Sequence, residues 1–167
     1  MIKSKQYIFF TLNNFLKEGG GTVRMYGVLN SLAEMGHQVT IISNAQTLDK
    51  FHPDIIHYPL NIEFTPSEKR KFQFVAGLSL SFLNRLFGDY LLKLRQVFNE
   101  FSGFKNIYFF EYLDNSVGYW LFMNGIIQGY SNDIHGIATL EFEYAYKNAK
   151  NFKQFLIPRL KYNIAKD

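Results

Sequence analysis

Apolar residues fall along this chain in two alternating patterns: short unbroken runs, and longer stretches with helical spacing. The first run, Tyr7 to Leu12, is rich in aromatic and branched side chains and predicts a strand buried on both faces. Asn13 and Asn14 favour a turn. Gly19, Gly20 and Gly21 then lead to Thr22, which can cap a helix from about Val23 to Met35. Met25, Leu29 and Leu32 share one face of that helix, and Gly36-His37 ends it. Gln38 to Ser43 predicts the second strand. Strand, helix and strand then occupy about 37 residues, as one crossover unit requires.

Further along, Asp54 to Tyr58 predicts a short third strand after Pro53. Pro66-Ser67 marks the start of helical material running to about Leu86, and Gly88 separates it from a second helix, Asp89 to Phe101. Asn106 to Phe110 returns to strand character. Asp114 to Ser116 can cap a helix to about Met123, ended by Gly125, after which Ile126 to Tyr130 predicts a strand and Ile137 to Lys150 a helix. Phe152 to Asp167, interrupted by Pro158, shows no clean element. This alternation of short strands with longer helices implies an α/β layered fold with a largely parallel sheet.

Composition narrows the class. The 167 residues are 47% hydrophobic and 18% aromatic, enough for a buried core in a single domain, 1–167, without disulfides or a structural metal. The absence of cysteine excludes disulfides and thiol chemistry and fits a reducing, cytoplasmic setting. The first apolar run is too short for a signal peptide, and Phe74 to Leu83 falls far below spanning length. Lys and Arg exceed Asp and Glu by 18 to 14, a surplus suited to phosphates or an anionic membrane surface. No recognition-helix, zinc-finger or RNA-binding pattern accompanies the basic residues, so nucleic acid is not an expected partner.

Two turns carry candidate chemistry. Three glycines between a strand and a helix can adopt positive φ and expose backbone N–H groups, and the helix adds its positive end. Gly20, Gly21 and Arg24 are thus candidates for a phosphate or sugar hydroxyl, Arg24 through a bidentate contact. The alternative is a flexible turn with no ligand. The spacing is neither the dinucleotide fingerprint nor an ATPase phosphate loop, since the later glycine, the ribose-binding acid and a Gly-Lys-Ser/Thr are missing.

The second turn, Asp133-Ile134-His135-Gly136, follows the predicted strand at the same carboxyl edge of the sheet. His135 can donate or accept a hydrogen bond and titrates near physiological pH. Asp133 could orient it or cap the next helix, and Gly136 would allow close ligand approach. A purely structural turn is the alternative. Glu111, after a strand, is a further polar candidate. His52 and His57 lack a convergent ligand set, so no metal is expected.

In order along the chain, Gly19-Gly20-Gly21-Thr22-Val23-Arg24, then Leu32-Ala33-Glu34-Met35-Gly36-His37-Gln38-Val39, resembles the opening of family 4-type glycosyltransferases. Pro53-Asp54-Ile55-Ile56-His57 looks like their short third strand, and Asp133 to Gly136 looks like the turn carrying their active-site histidine. Gln38 replaces a more usual acidic residue. Leu12-Asn13-Asn14 lacks the familiar proline-rich form, and Leu60 to Lys105 is non-specific.

The resemblance implies the amino-terminal, acceptor-side, three-layer Rossmann-like domain of a GT-B enzyme. Such an enzyme transfers a sugar, with retention and usually without a metal or other cofactor, from a nucleotide-sugar to a glycan or lipid-linked acceptor. Gly20 and Gly21 would approach the donor phosphate, with Arg24 a weaker candidate, and His135 would contact the transferred sugar. The donor-binding half, with its paired glutamates, would come from elsewhere, including a separate chain, and 1–167 alone would be inactive or weakly active. Peripheral membrane contact enters because such enzymes often modify lipid-linked or envelope glycans, with Lys69 to Arg95 as the surface and domain core as its alternative. The competing reading of the chain is a non-enzymatic α/β module that binds a sugar or phosphate without turnover. A dinucleotide oxidoreductase lacks its glycine spacing and its acid.

Overall fold

The computed structural model describes residues 4–16, 19–62, 64–65, 67–68, 71–72, 80–101, 103, 107–110, 112–132 and 138–166. Among the described residues the elements run in the order β1 (Gln6–Thr11), α1 (Gly20–Glu34), β2 (Gln38–Ser43), β3 (Ile56–Pro59), α2 (Leu80–Asn99), β4 (Ile107–Phe109), α3 (Tyr112–Met123), β5 (Ser131–Asn132), α4 (Ala138–Lys147) and α5 (Phe152–Lys166). The strands form one five-stranded sheet in the order β3-β2-β1-β4-β5, and every pairing is parallel. The fold is therefore α/β and Rossmann-like.

Alternation along the strands separates two cores. Ile8 and Phe10 of β1, with Leu12 just after it, face α2 and α3, joining Leu91, Leu94, Phe98, Val117 and Leu121. Phe9, Val39 and Ile41 face the other way, onto Met25, Leu29 and Ala33 of α1. Helix α1 therefore covers one face, and α2 and α3 the other. At β1 the strand order turns back on itself.

Local sequence explains the helix ends. Gly36, at φ 80°, closes α1 in a Schellman motif, with Gly36 N–H bonded to Ala33 C=O and His37 N–H to Leu32 C=O. The same arrangement recurs after α3, where Gly125 has φ 66° and Ile126 N–H reaches Leu121 C=O. Gly118 serves a different need, since a Cβ there would lie 3.0 Å from ring carbons of both Phe109 and Tyr130. Its missing side chain lets α3 approach β4 closely.

Several expectations are corrected. Thr22 does not cap α1; Gly19 occupies the cap with extended backbone, and Thr22 is buried one turn inside. The third strand starts two residues later than expected, at Ile56. The break expected at Gly88 falls one residue earlier: two helical stretches meet at a kink at Phe87, whose φ of −132° and ψ of 25° leave the helical region, and α2 spans both. Asp114 lies inside α3 rather than capping it. Ile126 to Tyr130 is not a strand, because Ile126 spends its N–H on the helix cap and Ile126 and Ile127 are buried in the core; pairing starts only at Ser131.

The carboxyl-terminal segment is a helix despite Pro158. An interior proline costs about 3 kcal/mol. Asn151 offsets part of that by accepting the Gln154 N–H at 3.0 Å, while Gln154 accepts the Lys150 N–H at 3.0 Å. Tyr146 of α4 adds an edge contact to Phe155 and lies under the Arg159 guanidinium, 4.8 Å away. Within Lys69 to Arg95, Phe72, Tyr90, Leu91 and Leu94 are core, whereas Leu86 and Leu92 are exposed. Among the described residues, no helix is long and apolar enough to cross a membrane.

Candidate functional site

At the carboxyl end of β1 the chain folds into a series of small side-chain-closed turns. Thr11 Oγ1 accepts the Asn13 N–H at 3.1 Å, Asn13 Oδ1 accepts the Phe15 N–H at 2.8 Å, and Asn14 Oδ1 accepts the Leu16 N–H at 3.3 Å. Asn13 also donates through Nδ2 to Thr22 Oγ1 at 3.3 Å, tying the turn to α1. Phe15 takes a left-handed conformation at φ 57°, which brings its ring onto Tyr26 and Phe51.

The glycine turn differs from its expectation. Gly19 is extended (φ −134°), and Gly20 and Gly21 are already helical, so their contribution is not a positive φ. What they contribute is bareness. Neither Gly19 nor Gly20 has a non-neighbouring atom within 4 Å of where a Cβ would sit, and among the described residues no side-chain hydrogen bond caps the helix. The N–H groups of Gly20 and Gly21 precede the first intrahelical bond, Val23 N–H to Gly19 C=O at 3.0 Å. Arg24 is exposed on the next residues of α1.

Beside this helix end opens a cleft of about 1190 Å³, lined at one side by Phe15, Tyr26 and Phe51 and at the other by Phe64 and Phe72. Polar and charged groups stand between these aromatic walls: Asn14, Asn44, Gln46, Thr47, Asp49, Lys50, His57 and Asn61. All come from the carboxyl ends of β1 and β2, the connection that follows β2, and β3 with the residues after it, where parallel sheets collect ligands. The cleft wall is fixed by Asn30 of α1, which donates to Lys50 C=O at 3.0 Å and accepts the His52 N–H at 2.7 Å. Asn44 Oδ1 accepts the Ile62 N–H at 3.2 Å and closes the opposite corner.

His57 and Ser43 are 3.1 Å apart, a separation that invites a hydrolytic reading. Burial contradicts it. Ser43 has no exposed surface, and its Oγ already accepts the Ala45 N–H at 3.3 Å, so no substrate can meet it. Partial burial lowers the His57 pKa and keeps the imidazole neutral. Amide, hydroxyl and imidazole groups between aromatic faces suit a polyhydroxylated ring, with apolar C–H faces and a rim of hydroxyls. Among the described residues, no three His, Asp or Glu side chains gather as a metal-ligand set.

Asp133, His135, Gly136 and Glu111 lie outside the described residues; β5, which precedes the first three, ends at Asn132. Gly20, Gly21 and Arg24 belong to one helix end, and none of the three lines the cleft. Sequence reasoning considered His57 only as a metal ligand and missed Phe15, Tyr26, Phe51 and Asn30. The polar run Asn44 to Thr47 directly after a buried strand was the one signal that could have pointed there. Comparison with protein-family models found no match to this chain, and comparisons with curated proteins and with solved structures likewise found none.

Proposed function

We propose that this chain is the acceptor-side domain of a GT-B-type retaining glycosyltransferase, acting in the cytoplasm when completed by a donor-binding domain. The observation that carries this reading is the uncapped, glycine-faced start of α1 beside an aromatic and amide-lined cleft, both at the carboxyl edge of an all-parallel sheet. The cleft would take the sugar of a glycan or lipid-linked acceptor, stacked on the aromatic walls and held by Asn14, Asn44 and Asn61. The Gly20 and Gly21 N–H groups, with Arg24, would receive phosphate oxygens of a nucleotide-sugar. His135, with Asp133 and Gly136 beside it, would order the transferred sugar, and Glu111 would supply a further polar contact. In the reaction, the anomeric carbon–phosphate oxygen bond breaks and the nucleoside diphosphate departs with the electron pair, the acceptor oxygen bonds that carbon on the face the phosphate leaves, and the acceptor proton passes to the departing phosphate.

The purified chain should bind a nucleotide-sugar or glycan weakly and transfer sugar only when a donor-binding domain is added. Robust transfer by the chain alone would refute the division of labour. With the partner present, His135→Ala should reduce turnover far more than stability. Ligand binding that never leads to turnover, with any such partner, would instead favour the second reading, a sugar- or phosphate-binding module. The amide-rich cleft and the buried Ser43 are equally compatible with that role.

A further inference from the structure

No described side chain of α4 or α5 is buried, and none belongs to either core. The described apolar residues are open to solvent: Leu140 is 55% exposed, Tyr144 73%, Phe152 74% and Leu160 40%, with Leu156 and Ile157 similar. Phe152, Leu156 and Leu160 follow one another at helical spacing and share a face of α5. A cluster of this size on a protein surface marks an interaction site.

Charge identifies the occupant. Residues 138–166 contain Lys147, Lys150, Lys153, Arg159, Lys161 and Lys166 against Glu141 and Glu143, a net +4 that equals the formal charge of the whole chain. The rest of the protein is therefore balanced, and its entire positive excess sits on the two helices with the exposed apolar face. All six basic residues occupy 147–166, where there is no acidic residue. Of the two acids in α4, Glu143 is already engaged by Lys147.

We propose that the α4–α5 hairpin is a docking surface for an anionic lipid bilayer. Apolar side chains of α5 enter the boundary between headgroups and acyl chains, while the basic side chains stay among the phosphates. At 15 residues α5 spans about 22 Å, short of the hydrocarbon thickness, so it lies along the surface rather than through it. A second copy of the chain is a poorer occupant, because it would present the same positive charge to the same face. This inference does not depend on the sugar-transfer reading.

The test is flotation of the intact chain with vesicles of phosphatidylcholine, alone or mixed with phosphatidylglycerol, at low and high salt. Binding is expected only to the mixed vesicles and should weaken as salt rises. Phe152→Ser with Leu160→Ser should weaken partitioning about tenfold or more, and Lys150→Glu severalfold, with helicity by circular dichroism unchanged. Failure to float with either vesicle, or binding that ignores both lipid charge and these substitutions, overturns the proposal. So does a dimer in sedimentation equilibrium that the paired serine substitutions dissolve while vesicle binding is absent, an outcome that assigns the face to a second copy.

Discussion

The Asp114 carboxylate accepts the backbone N–H of Leu12 at 2.9 Å, joining the first turn of α3 to the end of β1 across 102 positions of sequence. Asp114 has no exposed surface, and the contact sits between β1 and β4, where the strand order reverses. In parallel sheets that crevice is a common ligand entrance. Here the protein's own carboxylate occupies it, and the open cleft lies on the other side of β1. Asp114→Ala leaves the buried Leu12 N–H without this acceptor, so urea unfolding should show a loss of about 2–3 kcal/mol.

Tyr90 provides the opposite sign. Its hydroxyl is buried and has no hydrogen-bond partner among the described residues. Burial, reinforced by the charge of Asp114, pushes its pKa far up, so it stays neutral throughout the physiological range. Tyr90→Phe should be neutral or stabilising by up to about 1 kcal/mol in the same urea experiment.

At Gly118 the contact with two rings sets the expectation. An added methyl group would meet Phe109 and Tyr130 at 3.0 Å, and both rings pack against neighbours. Gly118→Ala should therefore destabilise by about 1–3 kcal/mol, because the gain in helix propensity is smaller than the overpacking cost. A thermal midpoint at or above that of the parent would show that α3 can move away from β4.

His57 links pH to stability. Its pKa is lowered in the folded state by burial, so protonation favours the unfolded chain. The stabilising contribution is complete above the unfolded value of about 6.5 and is lost as pH falls through the lower folded value. His57→Gln should flatten stability against pH in that acidic window, measured by urea midpoints at successive pH values. An unchanged slope would place the acid sensitivity elsewhere.

Gly20 separates fold from binding. The space beside it is open and α1 has no acid in its first turn, so Gly20→Asp should stabilise the helix by about 0.3–1 kcal/mol. The same negative charge should repel a nucleotide diphosphate from that helix end. Higher thermal stability with weaker nucleotide chemical-shift changes is the expected pair of results; undiminished nucleotide binding would remove Gly20 from the site.

The centre of the sheet could be read from the residues because β1 and β2 bury most of both faces. Tyr7 to Leu12 is interrupted only by Thr11, Gln38 to Ser43 is buried from Val39 onward, and Gly36 has the one conformation that ends α1 cleanly. Thr22 misled because its hydroxyl is a good cap in general, yet here it serves as the acceptor for Asn13. Ile126 to Tyr130 has strand composition, but the helix cap takes its first N–H and its isoleucines pack in the core before any pairing begins. The cleft was hidden for another reason. Phe15, Tyr26, Phe51 and Phe64 meet only after β1, α1 and β3 are brought together, and no spacing along the chain records that.

The bonds from Asn30 to Lys50 and His52 make α1 a strut with a load at each end of its path. Its first turn offers bare amides, and three turns later its flank holds the loop that walls the cleft. A ligand that tilted the amide end of α1 would move Asn30 with it, and with Asn30 the loop that walls the cleft.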